Sequence, residues 1–311
     1  MDEKPLVSVI MNCHNGDRFL KEAIDSIYNQ FYQNWEIIFW DNVSTDTSSS
    51  IVALYDHRIK YFLADKKTSL GEARNLALDK VNGKYICFLD CDDIYLPNKL
   101  EKQVTMMEEN NYPLAYGSAL IIDENNNKIR KFVAKNNSGF NFKNLLNYYE
   151  INMQSVILRK TYLDDKGLNF QTNFQYNPDY NLFMQISAEN EIGVEKECIV
   201  KYRVLDNSLS STTLNLVGPE VRLTLKGLLK SYPYIETKFK KEFNQAYGKS
   251  IYYDSIAAIH VNDFRKARKL LSKLISSTPA SSLGLKYLGL FIILLLPLPS
   301  KLVLKFLNRN V

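Results

Sequence analysis

The sequence predicts an α/β protein in which a mostly parallel, Rossmann-like sheet carries helices on both faces and a helical region follows. Three observations support this prediction. Apolar stretches of strand length alternate with amphipathic stretches of helix length over residues 7–109, whereas the last third of the chain has helical periodicity alone. The connections between the early stretches are short, as in repeated strand–helix units. The net charge also changes sign between the two parts.

The strand–helix alternation occupies the first part of the chain. Apolar residues at positions 19, 20, 23, 24 and 27 fall on one face of a helix, which is the pattern of a helix packed on a core. Strands are predicted at residues 7–11, 35–40, 59–63 and 84–89, and helices at residues 18–30, 71–79 and 98–109, with a further helix ending near residue 55. Parallel strands covered on both faces bind ligands at their carboxyl ends. Catalytic and binding residues are therefore expected directly after these strands.

The pattern changes after residue 110. A polar run at residues 123–127 separates two apolar stretches and predicts a hairpin. The later predicted elements are a strand at 155–159, a helix at 178–189, a strand at 194–204, and helices at 221–230, 238–260 and 264–276. The alanine spacing of the last two helices resembles a tetratricopeptide-type helical hairpin. We predict a sheet domain over residues 1–215, a helical region over residues 216–281 and a basic, apolar tail over residues 282–311.

The charge of the chain divides in the same way. The formal net charge is +5, but residues 216–311 hold 16 basic and 5 acidic residues, whereas residues 1–215 hold 23 and 29. A hydrophobic content of 46% and a mean hydropathy of −0.24 exclude an intrinsically disordered chain and a polytopic membrane protein. Nucleic-acid binding is not expected of the basic part, because apolar residues dominate its end without an aromatic–basic platform.

The cysteines and the amino terminus indicate a cellular compartment. The four cysteines form no CxxC pair, and the chain has three histidines. A histidine-built metal site and a disulfide framework are therefore both unexpected. The amino terminus is acidic and lacks the basic region of a signal peptide. Reduced thiols and a cytoplasmic location are the prediction.

An acidic cluster follows the apolar strand at residues 84–89. Asp90, Asp92 and Asp93 lie within four positions, and three such carboxylates repel one another unless a cation or solvent neutralises them. At the end of a buried strand they suit a divalent metal that bridges to phosphate oxygens. The alternative interpretation, a solvated acidic turn that caps the next helix, is about equally favoured by the motif alone.

Three further elements have both a functional and a structural interpretation. Asp41 ends the strand at residues 35–40, and residues 41–46 suit either a binding loop or a pair of helix caps. Arg74 lies on a predicted helix, where it is either a surface residue or a clamp for a phosphate or carboxylate. Asp179 lies in the first turn of a predicted helix. It is either an acid that interacts favourably with the helix dipole or a general base.

Taken together and in this order, these elements resemble the glycosyltransferases of family 2, an inverting group with the GT-A fold. The similar segments are VSVIMNCHN at 7–15, DNVSTD at 41–46, LGEARN at 70–75, LDCDDIYLP at 89–97, QSVILRK at 154–160 and YRVLDNSLS at 202–210. Val43 stands where the family usually has glycine, and Leu205 where many members have histidine. The resemblance covers about residues 5–215, as expected for one catalytic domain.

The resemblance implies a role for each of these residues. Asp41 would bond the nucleotide base, Arg74 would hold the base or a phosphate, and Asp90 would face the ribose and the metal. Asp92 would bind Mg²⁺ or Mn²⁺ on the diphosphate of the donor, for which UDP is the first expectation. Asp179 would take the proton of the acceptor hydroxyl. Because the pattern offers one base, a single displacement with inversion is expected.

The basic tail has two interpretations. Residues 283–298 contain fifteen uncharged residues and Lys286. The uninterrupted uncharged run, residues 287–300, has only 14 residues and contains Pro297 and Pro299, so it is too short and too broken to span a bilayer. Our preferred hypothesis is a segment lying on the inner face of the cell membrane, where a peripheral enzyme would act on a lipid-linked glycan of the cell surface. The alternative is a buried terminal helix packed on the domain.

Other functions fit the sequence less well. A sugar-phosphate nucleotidyltransferase would need a glycine-rich, basic loop after the first strand, and a dinucleotide oxidoreductase would need GxGxxG. A catalytically inactive nucleotide-sugar-binding or scaffold protein at the membrane is the alternative from another class. The predicted site residues Asp41, Arg74, Asp90, Asp92 and Asp179 disfavour it.

Overall fold

The computed structural model describes residues 4–205, 213–277 and 282–295. The chain divides into two compact units, Met1–Asp206 and Asn207–Val311. The division falls nine positions before the boundary predicted at residue 215. Each unit is described by itself.

The first unit is built on one sheet. Its strands are β1 (Val7–Cys13), β2 (Trp35–Asp41), β3 (Ile59–Leu63), β4 (Tyr85–Phe88), β5 (Ile94–Tyr95), β6 (Leu114–Ile122), β7 (Lys128–Phe132), β8 (Ile157–Arg159) and β9 (Gly193–Arg203). Its helices are α1 (Asp17–Tyr28), α2 (Ser48–Val52), α3 (Leu70–Leu78), α4 (Lys99–Asn110), α5 (Phe142–Asn147), α6 (Lys160–Lys166) and α7 (Pro178–Glu189), with a 3₁₀ turn at Met153–Ser155. The predicted α/β class is confirmed. The two-residue β5 and the short helices α5 and α6 have no clear signal in the sequence.

The strand order is β3-β2-β1-β4-β8-β6-β9-β5, with β7 paired to β6. The half formed by β3, β2, β1 and β4 is parallel, as the sequence predicts. The other half is mixed, because β8 runs antiparallel to both β4 and β6 while β9 is parallel to β6. The predicted hairpin is β6–β7. The carboxyl ends of β1, β2, β3 and β4 therefore meet at one edge.

Both faces of the parallel half are buried. Val9 and Ile37 pack in a core with Ile24 of α1 and Val104 of α4. The intervening strand residues, such as Ile10, are also buried. Burial on both faces explains why these strands are continuous apolar runs in the sequence rather than alternating ones. The sheet is thus a rigid support for the loops at its edge.

The second unit consists of helices α8 (Leu214–Ser231), α9 (Tyr234–Lys238), α10 (Lys240–His260), α11 (Phe264–Ser277) and α12 (Ser282–Ile293). Helices α10 and α11 form the predicted helical hairpin. Helix α8 crosses α10 closely at Gly218, since a Cβ atom there would lie 2.1 Å from Asp254 Oδ1. Arg222 of α8 also pairs with Asp254 at 2.8 Å.

The described part of the predicted tail belongs to this helical unit. Tyr287, Leu290 and Leu294 are buried in one cluster with side chains of α10 and α11, such as Ile259 and Leu271. This part of the tail therefore packs as the alternative interpretation expected. Residues 296–311 of the tail lie outside the described residues. Within the described ranges, no helix has both the length and the apolar character needed to cross a membrane.

Candidate active site

Three loops at the carboxyl edge are tied together by polar contacts. The Asn42 side chain donates to the carbonyl of Thr68 and accepts from the backbone N–H of Thr68, both at 3.0 Å. His14 Nδ1 lies 3.0 Å from the carbonyl oxygen of Asn42, and Lys67 Nζ lies 2.7 Å from His14 Nε2. The loops that follow β1, β2 and β3 therefore form one surface beside the strand ends.

Asp41, the last residue of β2, is buried beneath this surface at 1% exposure. Its Oδ1 accepts the backbone N–H of Ser44 at 2.7 Å, and its Oδ2 accepts the Tyr61 hydroxyl at 2.7 Å. Burial and the Asp41 carboxylate raise the pKa of Tyr61, so this phenol stays protonated as a donor. Asp41 is thus held in one orientation at the edge.

The loop after Asp41 contains a strained residue. Val43 has a φ angle of 64°, in the left-handed region that a β-branched residue rarely adopts. The loop geometry is therefore the one that glycine favours, although this chain has valine. Asp46 ends the loop by accepting the backbone N–H groups of Asp17 at 2.9 Å and Ser48 at 3.0 Å, where α1 and α2 begin. Asp46 thus has the capping role that the sequence left open.

Gln154 holds Asp90 from the neighbouring 3₁₀ turn. The backbone N–H of Asp90 donates to Gln154 Oε1 at 2.8 Å, and Gln154 Nε2 donates to Asp90 Oδ2. Gln154 is 1% exposed, so this pairing is shielded from solvent. Asn152 supports it by accepting the backbone N–H of Gln154 at 3.0 Å. The first carboxylate of the acidic cluster is therefore fixed by a complementary amide.

The other two carboxylates of the cluster differ in their surroundings. Burial and the nearby Asp90 charge raise the pKa of Asp92 to about 6. Asp93 is 1% exposed, and its Oδ1 accepts the backbone N–H of Arg203 at 2.7 Å. Burial and the other two carboxylates raise the pKa of Asp93 further. Asp93 thus has a structural role in attaching the end of β9, whereas Asp90 and Asp92 are only partly buried.

Arg203 completes this attachment. Its Nε donates to the carbonyl oxygen of Asp92 at 2.8 Å, and its Nη2 pairs with Glu22 of α1 at 2.7 Å. Its guanidinium also lies over the Phe19 ring at 4.2 Å. The side chain is fully shielded from solvent. Arg203 therefore joins α1, the acidic cluster and β9 in one network.

Arg74 of α3 and Asp179 of α7 form an ion pair. Arg74 Nη1 lies 3.6 Å from Asp179 Oδ1, with side-chain exposures of 6% and 19%. The guanidinium also lies 5.4 Å from the centre of the Phe170 ring. Gly71 allows this approach, because a Cβ atom there would lie 2.4 Å from the carbonyl oxygen of Gln171. The loop before α7 can therefore pack tightly on the start of α3.

Two cysteines lie at the same edge. The Cys91 thiol donates to the carbonyl oxygen of Asn12 at 3.6 Å. Its interaction with Cys13, with smaller contributions from Ser48 and Ser44, lowers the pKa of Cys13 to about 7 despite burial. Both residues are free thiols.

Several buried polar atoms at this edge lack a hydrogen-bond partner within the described structure. They are Nδ2 of Asn12, Nη1 of Arg74 and the hydroxyl of Tyr149. Such atoms are rare in folded proteins and commonly mark a place for a ligand or water. They point to a bound polar molecule at this edge.

The structure gathers the predicted residues at the expected edge, in two groups. Asp41 ends β2 and Asp90 and Asp92 follow β4, whereas Arg74 and Asp179 meet on α3 and α7. The sequence indicates no role for Tyr61, Tyr149 or Phe170. Gln154 and Arg203 lie inside the similar segments 154–160 and 202–210, but the sequence gives neither of them a role of its own. No local pattern could identify them, since each acts through a partner far away in the sequence.

The sequence is similar to a known protein family and to individual known proteins. The sequence model described as glycosyl transferase family 2 matches residues 8–164. Over 209 residues, the chain is 36% identical to the UDP-Glc:alpha-D-GlcNAc-diphosphoundecaprenol beta-1,3-glucosyltransferase WfgD of Escherichia coli, covering 66% of this chain and 80% of that protein. It is 33% identical over 226 residues to an uncharacterized glycosyltransferase of Methanocaldococcus jannaschii, covering 67% of this chain and 74% of that one.

Solved structures share the fold. S. aureus TarS in complex with UDP-GlcNAc superposes with a TM-score of 0.68 at 16% identity, over 86% of this chain and 80% of that one. The mannosyltransferase PcManGT of Pyrobaculum calidifontis, in complex with GDP-Man and Mn²⁺, gives 0.63 at 15% identity, over 96% and 83%. At these identities the likeness concerns the fold.

Proposed function

The chain belongs to glycosyl transferase family 2, has the GT-A fold and is a glycosyltransferase, and from this premise we propose which reaction its site catalyses. It moves a sugar from a nucleotide-diphospho-sugar to an acceptor hydroxyl, with inversion at the anomeric carbon. The observation that supports this most directly is Asp92, whose pKa is raised to about 6 beside Asp90. Two carboxylates held together in this way suit a divalent cation on a diphosphate.

Mg²⁺ or Mn²⁺ is the proposed cation. Among residues 4–205, 213–277 and 282–295, no group of three or more His, Cys, Asp or Glu side chains is placed to hold a metal. Asp90 and Asp92 fit a cation whose other ligands are diphosphate oxygens and water. When bound, it supplies positive charge against the charge that develops on the leaving diphosphate. Gln154 keeps Asp90 in place.

Asp179 is the proposed base. The acceptor oxygen bonds to the anomeric carbon while the bond from that carbon to the diphosphate oxygen breaks, and the bonding pair leaves with the diphosphate. Asp179 takes the proton of the acceptor hydroxyl. Arg74 lies 3.6 Å from this carboxylate and positions it. It also holds the base or a phosphate of the nucleotide. A single base corresponds to one displacement, and hence to inversion.

UDP is the proposed nucleotide. Asp41 bonds the base, next to the backbone of residues 12–14. The partnerless Nδ2 of Asn12 supports a polar ligand at this position. UDP-Glc is the donor in the name of WfgD, and the TarS complex holds UDP-GlcNAc, whereas the PcManGT complex holds GDP-Man. The donor screen therefore compares both nucleotides.

A lipid-linked glycan of the cell surface is the proposed acceptor, reached from the inner face of the cell membrane. WfgD is named for the acceptor alpha-D-GlcNAc-diphosphoundecaprenol, which supports a lipid-linked acceptor. Helix α12 supports membrane contact in a second way. Its buried face packs in the helical unit, while Leu288 and Ile292 of the helix and Leu295 in the turn just after it are 39%, 52% and 60% exposed. These three residues recur at helical spacing and form an apolar stripe suited to a bilayer surface.

A donor screen tests the reaction. The purified protein is incubated with UDP-, GDP- and dTDP-sugars and Mn²⁺, and the released nucleoside diphosphate is measured with and without lipid-linked acceptors. We expect release with a UDP-sugar, and loss of release after addition of a chelator. Asp164→Asn, a change on the exposed face of α6, is the matched control for Asp179→Asn. No release with any donor would contradict the proposal.

Vesicle sedimentation tests the membrane contact. We expect the full chain to sediment with vesicles containing anionic lipid, and Ile292→Glu to weaken this binding because a charge in the acyl boundary is unfavourable. Leu54→Glu, at an exposed position of the first unit, is the control that should bind as before. Equal binding of both variants would contradict a role for the α12 stripe.

A further inference from the structure

Tyr149 lies between α5 and the 3₁₀ turn, and its hydroxyl is shielded from solvent. The phenol oxygen has no hydrogen-bond partner within the described part of the chain. Burying such a group without a partner is unfavourable. A folded protein that retains this cost has a reason for it, most often a ligand or a water molecule that completes the bond. The residues around the hydroxyl indicate which kind of partner completes the bond.

Tyr149 packs against the first turn of α7, the turn that carries the proposed base. Its ring packs edge-on against Tyr180, with centroids 4.7 Å apart, and Tyr180 directly follows Asp179 in α7. Burial and the Asp179 charge raise the pKa of Tyr149, while Arg74 acts in the opposite direction. The hydroxyl thus remains protonated within the field of the Arg74–Asp179 pair and can only donate or accept as a neutral group.

A second unpaired donor lies at the same place. Arg74 Nη1 is buried without a hydrogen-bond partner, and its approach to Asp179 at 3.6 Å is longer than a hydrogen bond. One guanidinium N–H and one phenol O–H are therefore unsatisfied near the carboxylate of Asp179. The hydroxyl of a sugar can accept from such donors and give its own proton to a carboxylate.

We propose that Tyr149 and Arg74 form a subsite beside Asp179 that binds a sugar hydroxyl of the substrate, and that Tyr149 is a specificity-determining residue. The inference rests on the proposed function. The hydroxyl belongs either to the transferred sugar of the donor or to the acceptor sugar, and both sources share this chemistry. A site built to bond a hydroxyl discriminates strongly against an analogue that lacks it.

The substitution Tyr149→Phe tests the subsite. Because the hydroxyl has no partner in the fold, its removal should leave the melting temperature unchanged or slightly higher. We expect kcat/KM to fall about 10- to 100-fold, the loss of one hydrogen bond to substrate. A rise in the Kd of the nucleotide-sugar, measured by calorimetry, would assign the hydroxyl to the donor. A rise in the acceptor KM alone would assign it to the acceptor.

Deoxy analogues and a control variant complete the experiment. A substrate that lacks the bound hydroxyl should react equally with wild-type protein and with Tyr149→Phe. Tyr28→Phe removes a hydroxyl that donates to Asp56 at 2.9 Å on the surface, and should keep full activity. Wild-type kinetics in Tyr149→Phe, or a marked loss of its stability, would overturn the inference. Failure of the proposed function is distinct, because the wild-type protein itself would then release no nucleoside diphosphate.

Discussion

The guanidinium of Arg74 lies 3.6 Å from the carboxylate of Asp179, and these side chains are 6% and 19% exposed. The two residues come from different helices, α3 and α7, and meet only because the loop before α7 packs on Gly71. The distance is that of an ion pair without a direct hydrogen bond. Arg74 therefore orients Asp179 and still has an N–H donor for another oxygen. We propose that this one residue serves both substrate binding and proton transfer.

Replacing Asp179 should separate binding from chemistry. We expect Asp179→Asn to lower kcat by about 10²–10⁴-fold, the contribution of a general base, while the Kd for the nucleotide-sugar changes by no more than a few-fold. Single-turnover kinetics and calorimetry measure the two quantities. Loss of nucleotide-sugar binding in this variant would mean that Asp179 has a structural role.

Metal binding should depend on pH through Asp92. The pKa of this carboxyl is raised from 3.8 to about 6 in the folded protein, so the folded state binds more protons between these values. The free energy of unfolding contributed by Asp92 therefore falls as the pH rises from about 4 to about 6. A metal needs the ionised form, so Mn²⁺ should raise the melting temperature at pH 8 and much less at pH 5.

The same melting experiment has an internal control. Asp92→Asn removes the titrating group, and its melting temperature should respond weakly to Mn²⁺ at both pH values. An equal Mn²⁺ effect in the wild-type protein at pH 5 and pH 8 would contradict a metal held by this carboxylate.

Gln154 should be essential for placing Asp90. Gln154→Glu keeps the acceptor for the Asp90 backbone N–H but replaces the donor to Asp90 Oδ2 with a second negative charge. We expect the free energy of unfolding to fall by about 2 kcal/mol at pH 7. Urea denaturation measures this. Gln33→Glu, at an exposed position where the amide donates to the carbonyl oxygen of Gln30, should lower it much less.

Val43 should be a source of backbone strain. Its φ of 64° costs an L-residue about 1–2 kcal/mol, more than the entropy that glycine loses on folding. We therefore expect Val43→Gly to raise the free energy of unfolding by about 1 kcal/mol, measured by urea denaturation. Val133→Gly, at an exposed position outside the left-handed region, should lower it. A loss of stability in Val43→Gly would show that the valine side chain contributes more by packing than the backbone loses.

Much of the fold follows from local patterns. The strands β1, β2, β3 and β4 and the helices α7 and α10 lie within two or three residues of their predicted bounds, because apolar periodicity and a proline at the first turn of α7 are local signals. The two-residue β5 could not be predicted in this way. It exists because β9 pairs with it across a long sequence separation. The mixed half of the sheet has the same origin.

By itself, the sequence determined the parallel core, the edge at which polar residues gather and the helical character of the last third. These properties depend on the order and periodicity of residues along the chain. Tertiary structure alone decided that Gln154 holds Asp90, that Arg203 joins α1 to the acidic cluster, and that Tyr149 packs on Tyr180 with an unpaired hydroxyl. Each is a contact between residues far apart in the sequence. Burial sets the free energy of these contacts, because a polar group removed from water is unfavourable unless a partner replaces the lost hydrogen bond.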